Sequence, residues 1–156
     1  MIALEIYELL GKICEPHDCY YNVMGCDSLR NMYVTKFPMA IVVNTRPAPE
    51  TGHWCAFYMQ DEFAPMEFFD TYNMPPDVYN NQFRKFITRM SPQMLTMPRA
   101  VQCFDSDACG HHCLNFVNSR LKRKTIEYLY TNVFKPGCRN NDSMSKNFVN
   151  MLKKRI

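Results

Sequence analysis

Apolar positions in the first dozen residues recur with a helical period. Ile6, Leu9, Leu10 and Ile13 stand at i, i+3, i+4 and i+7, and Pro16 lies just beyond them. This spacing predicts an amphipathic helix over residues 2–13. Residues 14–35 mix apolar and polar positions without a period and carry Gly25 and Asp27, so they read as an irregular surface segment. The pattern then changes. Pro38-Met-Ala-Ile-Val-Val43 is a short β-branched apolar run, expected to be a buried strand. Thr45 to Gly52 is a loop by composition. His53 to Met59 reads as the next strand, with His53, Cys55, Phe57 and Met59 on one face and Trp54, Ala56 and Tyr58 on the other. Met66 to Asp70 is a third strand, and a turn at Asp61-Glu62 would make the pair an antiparallel hairpin.

A helical period returns with Tyr79, Phe83, Phe86, Ile87 and Met90, and Pro92 stops it. Met94 to Val101 is a further strand that Pro98 confines to an edge or a bulge. Residues 109–121 place Cys113, Phe116, Val117 and Leu121 on one helical face. Residues 125–134 predict another helix, ended by Pro136-Gly137, and Asp142 or Ser143 would cap a last one bearing Met144, Phe148, Met151 and Leu152. A few consecutive strands flanked by helices predict an α+β fold with a small mixed or antiparallel sheet, in a single domain over residues 1–156.

Composition narrows the class. A chain of 156 residues with 47% hydrophobic content can bury a core and is not of the disordered type. It has no apolar run of about 18 residues, the length that would cross a membrane. The start, Met1-Ile-Ala-Leu-Glu-Ile-Tyr-Glu, has acids where a signal peptide needs bases, so an intracellular or particle-borne, non-secreted protein is expected. Its eight cysteines include no Cys-x-x-Cys pair, and reduced thiols are the expectation. The net charge of +3 is modest, with basic residues gathered in Arg120-Leu-Lys-Arg-Lys124 and Lys153-Lys-Arg155. Such runs can touch phosphates but are more often a solvated helix face.

One stretch carries most of the candidate chemistry. Gln102 stands seven residues before Cys109, and Cys109 opens a helical pattern with Gly110 behind it. A thiol attacks only as thiolate, and a helix N-terminus or a neighbouring imidazolium lowers its pKa. Of the four histidines, His111 and His112 sit beside Cys109 on its own helix and would point off it, and His17 lies in the irregular segment. His53 starts a strand after a glycine, at the mouth of a sheet, where a base can reach a substrate. Asp70 ends the strand expected to pair with it and can fix the imidazole tautomer. The Gln102 amide and the Cys109 backbone N–H can serve as oxyanion donors. Gly110, lacking a side chain, would let a substrate backbone come close.

The order His-Trp, an acid 17 residues later, Gln, then Cys-Gly resembles the adenovirus protease (adenain) family. Ala40-Ile-Val-Val-Asn-Thr45, Glu50-Thr51-Gly52 and Ala108-Cys109-Gly110 are similar to that family's flanks, from about residue 2 to about residue 125. The resemblance implies an adenain- or SUMO-protease-like fold and a cysteine endopeptidase. It implies Cys109 as nucleophile, His53 as base, Asp70 as its orienting acid and Gln102 as oxyanion donor. It also implies a substrate cleft bordered by Gly25, Asp27, Trp54 and Gly110. The expected substrates are capsid and core precursors of a DNA virus or polinton/adintovirus-type element, cut at Gly-containing sites during virion maturation in the host nucleus or the virion. No metal or obligatory cofactor is implied, although relatives take a peptide or DNA as activator. DNA would reach the basic C-terminal residues, whereas the position resembling the family's activator-linked cysteine falls near Ser91.

Two readings compete. A ubiquitin- or SUMO-like-protein deconjugase shares the catalytic order but usually has Asp where this chain has Ala108. A zinc module could draw on Cys103, Cys109, His112 and Cys113, whose spacing matches no standard zinc pattern.

Overall fold

A computed structural model describes residues 1–155. Its elements run α1 (Ala3–Cys14), β1 (Tyr20–Gly25), β2 (Met39–Asn44), β3 (Trp54–Met59), β4 (Met66–Phe69), α2 (Asn81–Met90), β5 (Met94–Thr96), α3 (Cys109–Leu121), a short α4 (Ile126–Tyr128) running into a π-helical turn (Leu129–Val133), and α5 (Cys138–Lys153). The fold is α+β. Five strands lie in the order β1-β2-β3-β4-β5, with the central β2–β3 and β3–β4 pairs antiparallel and the two outer pairs parallel.

The sheet is covered on both faces, which explains why β2 and β3 read as continuous apolar runs. On one side Ala40, Val42, Trp54, Ala56, Tyr58 and Phe69 pack against α1, α3 and α5. On the other, Ile41, Val43, Cys55, Phe57, Met59 and Phe68 pack against Phe83, Phe86 and Ile87 of α2. The alternation expected along residues 53–59 is therefore present, with both faces buried. Phe69 stacks on Phe116 of α3 with centroids 4.4 Å apart. A buried pair of this kind contributes about 0.5–1.5 kcal/mol beyond its area. The Glu67 carboxylate takes two hydrogen bonds from the Arg120 guanidinium, at 2.7 and 2.8 Å, and so fastens α3 to β4.

Several expectations need correction. Residues 14–35 are not irregular throughout: Tyr20–Gly25 form β1, in parallel register with β2. The strand is half-buried at the sheet's edge, so no clean alternation marks it. Pairing in β5 stops at Thr96, short of Val101. The segment 125–134 is one α turn and a π turn. The last helix begins at Cys138, so Asp142 and Ser143 lie inside it. Its N-cap, Gly137, has φ +116°, a conformation that suits glycine. Arg120 belongs to the buried Glu67 pair, leaving Lys122, Arg123 and Lys124 as the solvated part of that basic run. Cys103 and Cys138 are joined in a disulfide, against the expectation of reduced thiols. The spacing of 35 residues could not announce it, because α5 has to fold back against the 102–107 turn first.

Candidate active site

The β2–β3 connection sets the position of His53. Thr45 and His53 form the last rung beyond the paired strands: the Thr45 N–H donates to the His53 carbonyl at 2.8 Å, and the Thr45 hydroxyl accepts the His53 N–H at 3.1 Å. Gly52 makes this turn possible. A Cβ there would sit 2.5 Å from Asn44 Oδ1 and 2.7 Å from Arg46 Cγ. Asp70, one residue past β4 on the neighbouring strand, brings Oδ1 to 2.6 Å from His53 Nε2.

Asp70 is nearly fully buried and well supplied with donors. Its Oδ2 accepts the Tyr79 hydroxyl at 2.5 Å and the Met74 N–H at 2.9 Å, and its Oδ1 also accepts the Tyr72 N–H at 3.3 Å. Burial alone would push its carboxyl up, but the bonds from His53, Tyr79 and Met74 hold it below the usual carboxylate range. The carboxylate is thus ionised and fixes the imidazole with Nε2–H toward itself, so Nδ1 is the nitrogen free for other work. Tyr72 stacks on the ring with centroids 4.8 Å apart. Tyr72 and Tyr79 carried no motif of their own in the sequence; only their nearness to Asp70 hinted at this role.

Cys109 opens α3, half-buried, close enough to His53 for each to shift the other's protonation. Burial would raise its pKa, yet His53 together with the backbone N–H groups of Trp54 and Gly110 brings it below that of an ordinary thiol. The imidazole moves the opposite way. Desolvation would lower it, but Asp70 and Cys109 raise it to about 9. Both shifts favour a thiolate–imidazolium pair. The N–H groups of the first helical turn lack intrahelical acceptors and face the same region.

Gln102 is buried on the turn that precedes α3. Its Oε1 accepts the Thr71 hydroxyl at 2.5 Å and its Nε2 donates to the Ser106 carbonyl at 2.9 Å. The two contacts fix which way the amide faces and leave one Nε2 hydrogen unassigned.

The other expected site residues scatter. Gly25 and Trp54 border a cavity of about 470 Å³ together with Val23, Asn44 and Gly52. Trp54 is mostly buried, its indole N–H donating to the Met1 carbonyl at 3.2 Å. Asp27 lies in a separate groove of about 710 Å³ with Arg30, Arg46 and Tyr79, where it accepts the Ala48 N–H at 3.2 Å. Gly110 turns inward. A Cβ there would point at Ile6 Cδ1 and Met1 Sδ, each 3.3 Å away, so its lack of a side chain serves the packing of α1 on α3.

The four candidate zinc ligands do not converge. Cys103 is oxidised, Cys113 donates its thiol to the Trp54 carbonyl, and His112 is fully buried instead of pointing off the helix. Both His112 nitrogens are engaged, Nε2 with Asp142 at 2.8 Å and Nδ1 with Ser145 at 2.7 Å. Among the described residues, the group whose ligand atoms lie close enough to share a cation is His53, Cys55 and Asp70, within 4.8 Å of one another.

No protein-family model matches the chain, and no curated protein matches it either. The fold is similar to two solved structures. One is the selenomethionine form of the ASFV pS273R protease, with a TM-score of 0.70 and 16% identity over 100% of this chain and 68% of that one. The second, the ASFV pS273R protease, gives a TM-score of 0.63 and 15% identity over 94% of this chain and 64% of that one. The match therefore spans about two thirds of the length of those chains.

Proposed function

We propose that the chain is a cysteine endopeptidase with Cys109 as nucleophile, His53 as general acid and base, and Asp70 as the residue that orients the imidazole. One observation carries this reading. A partly exposed thiol at a helix N-terminus is coupled to an imidazole whose Nε2 lies 2.6 Å from a buried carboxylate, and the coupling lowers the thiol's pKa. The similarity of fold to a protease of ASFV supports it.

In the proposed reaction the Cys109 thiolate attacks the scissile carbonyl. The charge that develops on oxygen is met by the Cys109 N–H and by the Gln102 amide hydrogen not used by Ser106. His53 passes its Nδ1 proton to the departing amine, which leaves a thioester on Cys109. The neutral imidazole then takes a proton from water, and the hydroxide attacks the thioester to release the acid and the thiol. Throughout, Asp70 keeps Nε2–H in place and stabilises the imidazolium.

The substrates in this reading are capsid and core precursors of a DNA virus or virus-like element, cut at Gly-containing sites in the nucleus or the virion. Exposed Lys122, Arg123, Lys124, Lys153, Lys154 and Arg155 would receive DNA as an activator. A disulfide-linked peptide activator is not part of the proposal, because Ser91 carries a hydroxyl, bonded to the Ala64 carbonyl at 3.2 Å.

The test incubates the protein with such precursor proteins, with and without DNA, and sequences the new N-termini. A parallel arm offers SUMO or ubiquitin fused through Gly-Gly. Cleavage of precursors that disappears with Cys109→Ala is the expected result. Cleavage restricted to the Gly-Gly fusions would replace the substrate class with a deconjugating one.

A further inference from the structure

Phe104 is 90% exposed, and the turn that presents it is anchored throughout. The Gln102 side chain is held by Thr71 and Ser106. The Ser106 N–H donates to the Cys103 carbonyl at 3.1 Å, and Cys103 is bonded to Cys138. On either side of Ser106, Asp105 and Asp107 pair with Arg139 and Lys146 of α5, at 3.0 and 2.9 Å. A phenyl ring held in water on so firm a turn adds nothing to the core.

The ring is also not isolated. It stacks on Tyr72 with centroids 5.3 Å apart and planes 14° from parallel, and Tyr72 in turn stacks on His53. Three rings thus form one column, from solvent to the imidazole that faces Cys109.

A role for this column rests on the proposed protease reading, whose chemistry gives the column a direction. The imidazole hands its proton to the departing amine, so the residues after the scissile bond leave past the imidazole. Tyr72 and Phe104 continue the imidazole's own stack, whereas the cavity beside Gly25 and Trp54 shares no residue with them. We propose that Tyr72 and Phe104 form the subsite for the leaving segment of the substrate. Phe104 is its specificity-determining residue and selects an aromatic or large aliphatic side chain within two residues after the cut. Beyond Phe104 a groove of about 700 Å³, lined by Ser106, Asp107, Arg139, Ser143 and Lys146, offers mixed charge to the polar chain that comes next.

The experiment digests a pooled synthetic peptide library with the full chain and sequences the new N-termini. Aromatic or large aliphatic residues are expected at the first or second position. In Phe104→Ala this preference flattens, and kcat/KM on the best library peptide falls about tenfold, the scale of a lost ring contact. The same variant loses clearly less rate on a matched peptide with glycine at both positions, and it keeps its Tm. Phe104→Tyr retains the preference. A library cut without preference at those positions, or a preference that survives Phe104→Ala, overturns the inference and leaves the protease reading standing. No cleavage at all, or cleavage that survives Cys109→Ala, overturns both.

Discussion

Two imidazoles in this chain are wired alike. His53 has Nε2 2.6 Å from Asp70 and is coupled to the Cys109 thiol, with Nδ1 left free by Asp70. His112 has Nε2 2.8 Å from Asp142 and its Nδ1 2.7 Å from the Ser145 hydroxyl. On a diagram both would pass for a nucleophile, a base and an acid. What separates them is surroundings. His112 and Ser145 are fully buried between α3 and α5, and the Asn115 amide also donates to Ser145 at 3.2 Å. No substrate can reach that hydroxyl. Burial pushes the His112 imidazole down, more than Asp142 lifts it, so the ring is neutral and joins two helices. Around His53 the balance is reversed, because an acidic thiol and a buried carboxylate both draw on the charged ring. A hydrogen-bonded His–Asp pair is therefore not a site by itself. Access and the acidity of the third partner decide.

Removing each member in turn puts the two clusters to the test. Cys109→Ala should abolish peptide cleavage and iodoacetamide labelling of the most reactive thiol, and His53→Ala should lose nearly all rate, several orders of magnitude in each case. Cleavage at the original rate by Cys109→Ala would sink the reading. Gln102→Ala should lower turnover by about 10²–10³-fold if the amide meets the oxyanion. Asp70→Asn should cost less than His53→Ala, about 10²-fold, as expected for a positioning defect. His112→Ala should do the opposite of His53→Ala. It should lose about 2–4 kcal/mol of stability, seen as a fall of several degrees in Tm, while the folded enzyme cleaves within a few-fold of the parent rate. A His112 variant that folds normally but cannot cleave would erase the difference between the two imidazoles.

The two imidazoles should also respond to pH in opposite senses. His53 is raised to about 9 in the folded protein. Its contribution to stability is therefore complete below the unfolded value of about 6.5 and is lost as pH rises through about 9. His112 is depressed, so its contribution is present above about 6.5 and is lost as pH falls through its lower folded value. Thermal melts of His53→Ala and His112→Ala across pH, each compared with the parent, separate the two. Cleavage should fall on the alkaline side near pH 9, where the imidazolium loses its proton.

The wiring at His53 was largely legible in the sequence. The residue types, their order and the strand pairing that carries Asp70 to His53 all come from local pattern. The pair at His112 was not legible. It depends on α5 crossing α3, and the helical spacing of residues 138–153 does not say which helix α5 meets. The same crossing hid the disulfide. Edge strand β1 stayed hidden for another reason: its half-buried positions blur the alternation that makes a strand readable. Gly110 shows the converse error, since a glycine beside the nucleophile invited a substrate reading while its vacant side faces α1.

The Cys103–Cys138 bond has a further consequence at the bench. Enzymes that work through a thiolate are commonly assayed with a reductant, which keeps the nucleophile from oxidising. Here the same reagent would open a cross-link worth about 3–4 kcal/mol by loop closure, and with it the tether of the turn that carries Gln102 and Phe104. Activity should therefore rise and then fall along a glutathione redox series. Its maximum should lie where Cys109 is reduced and the tether is still closed.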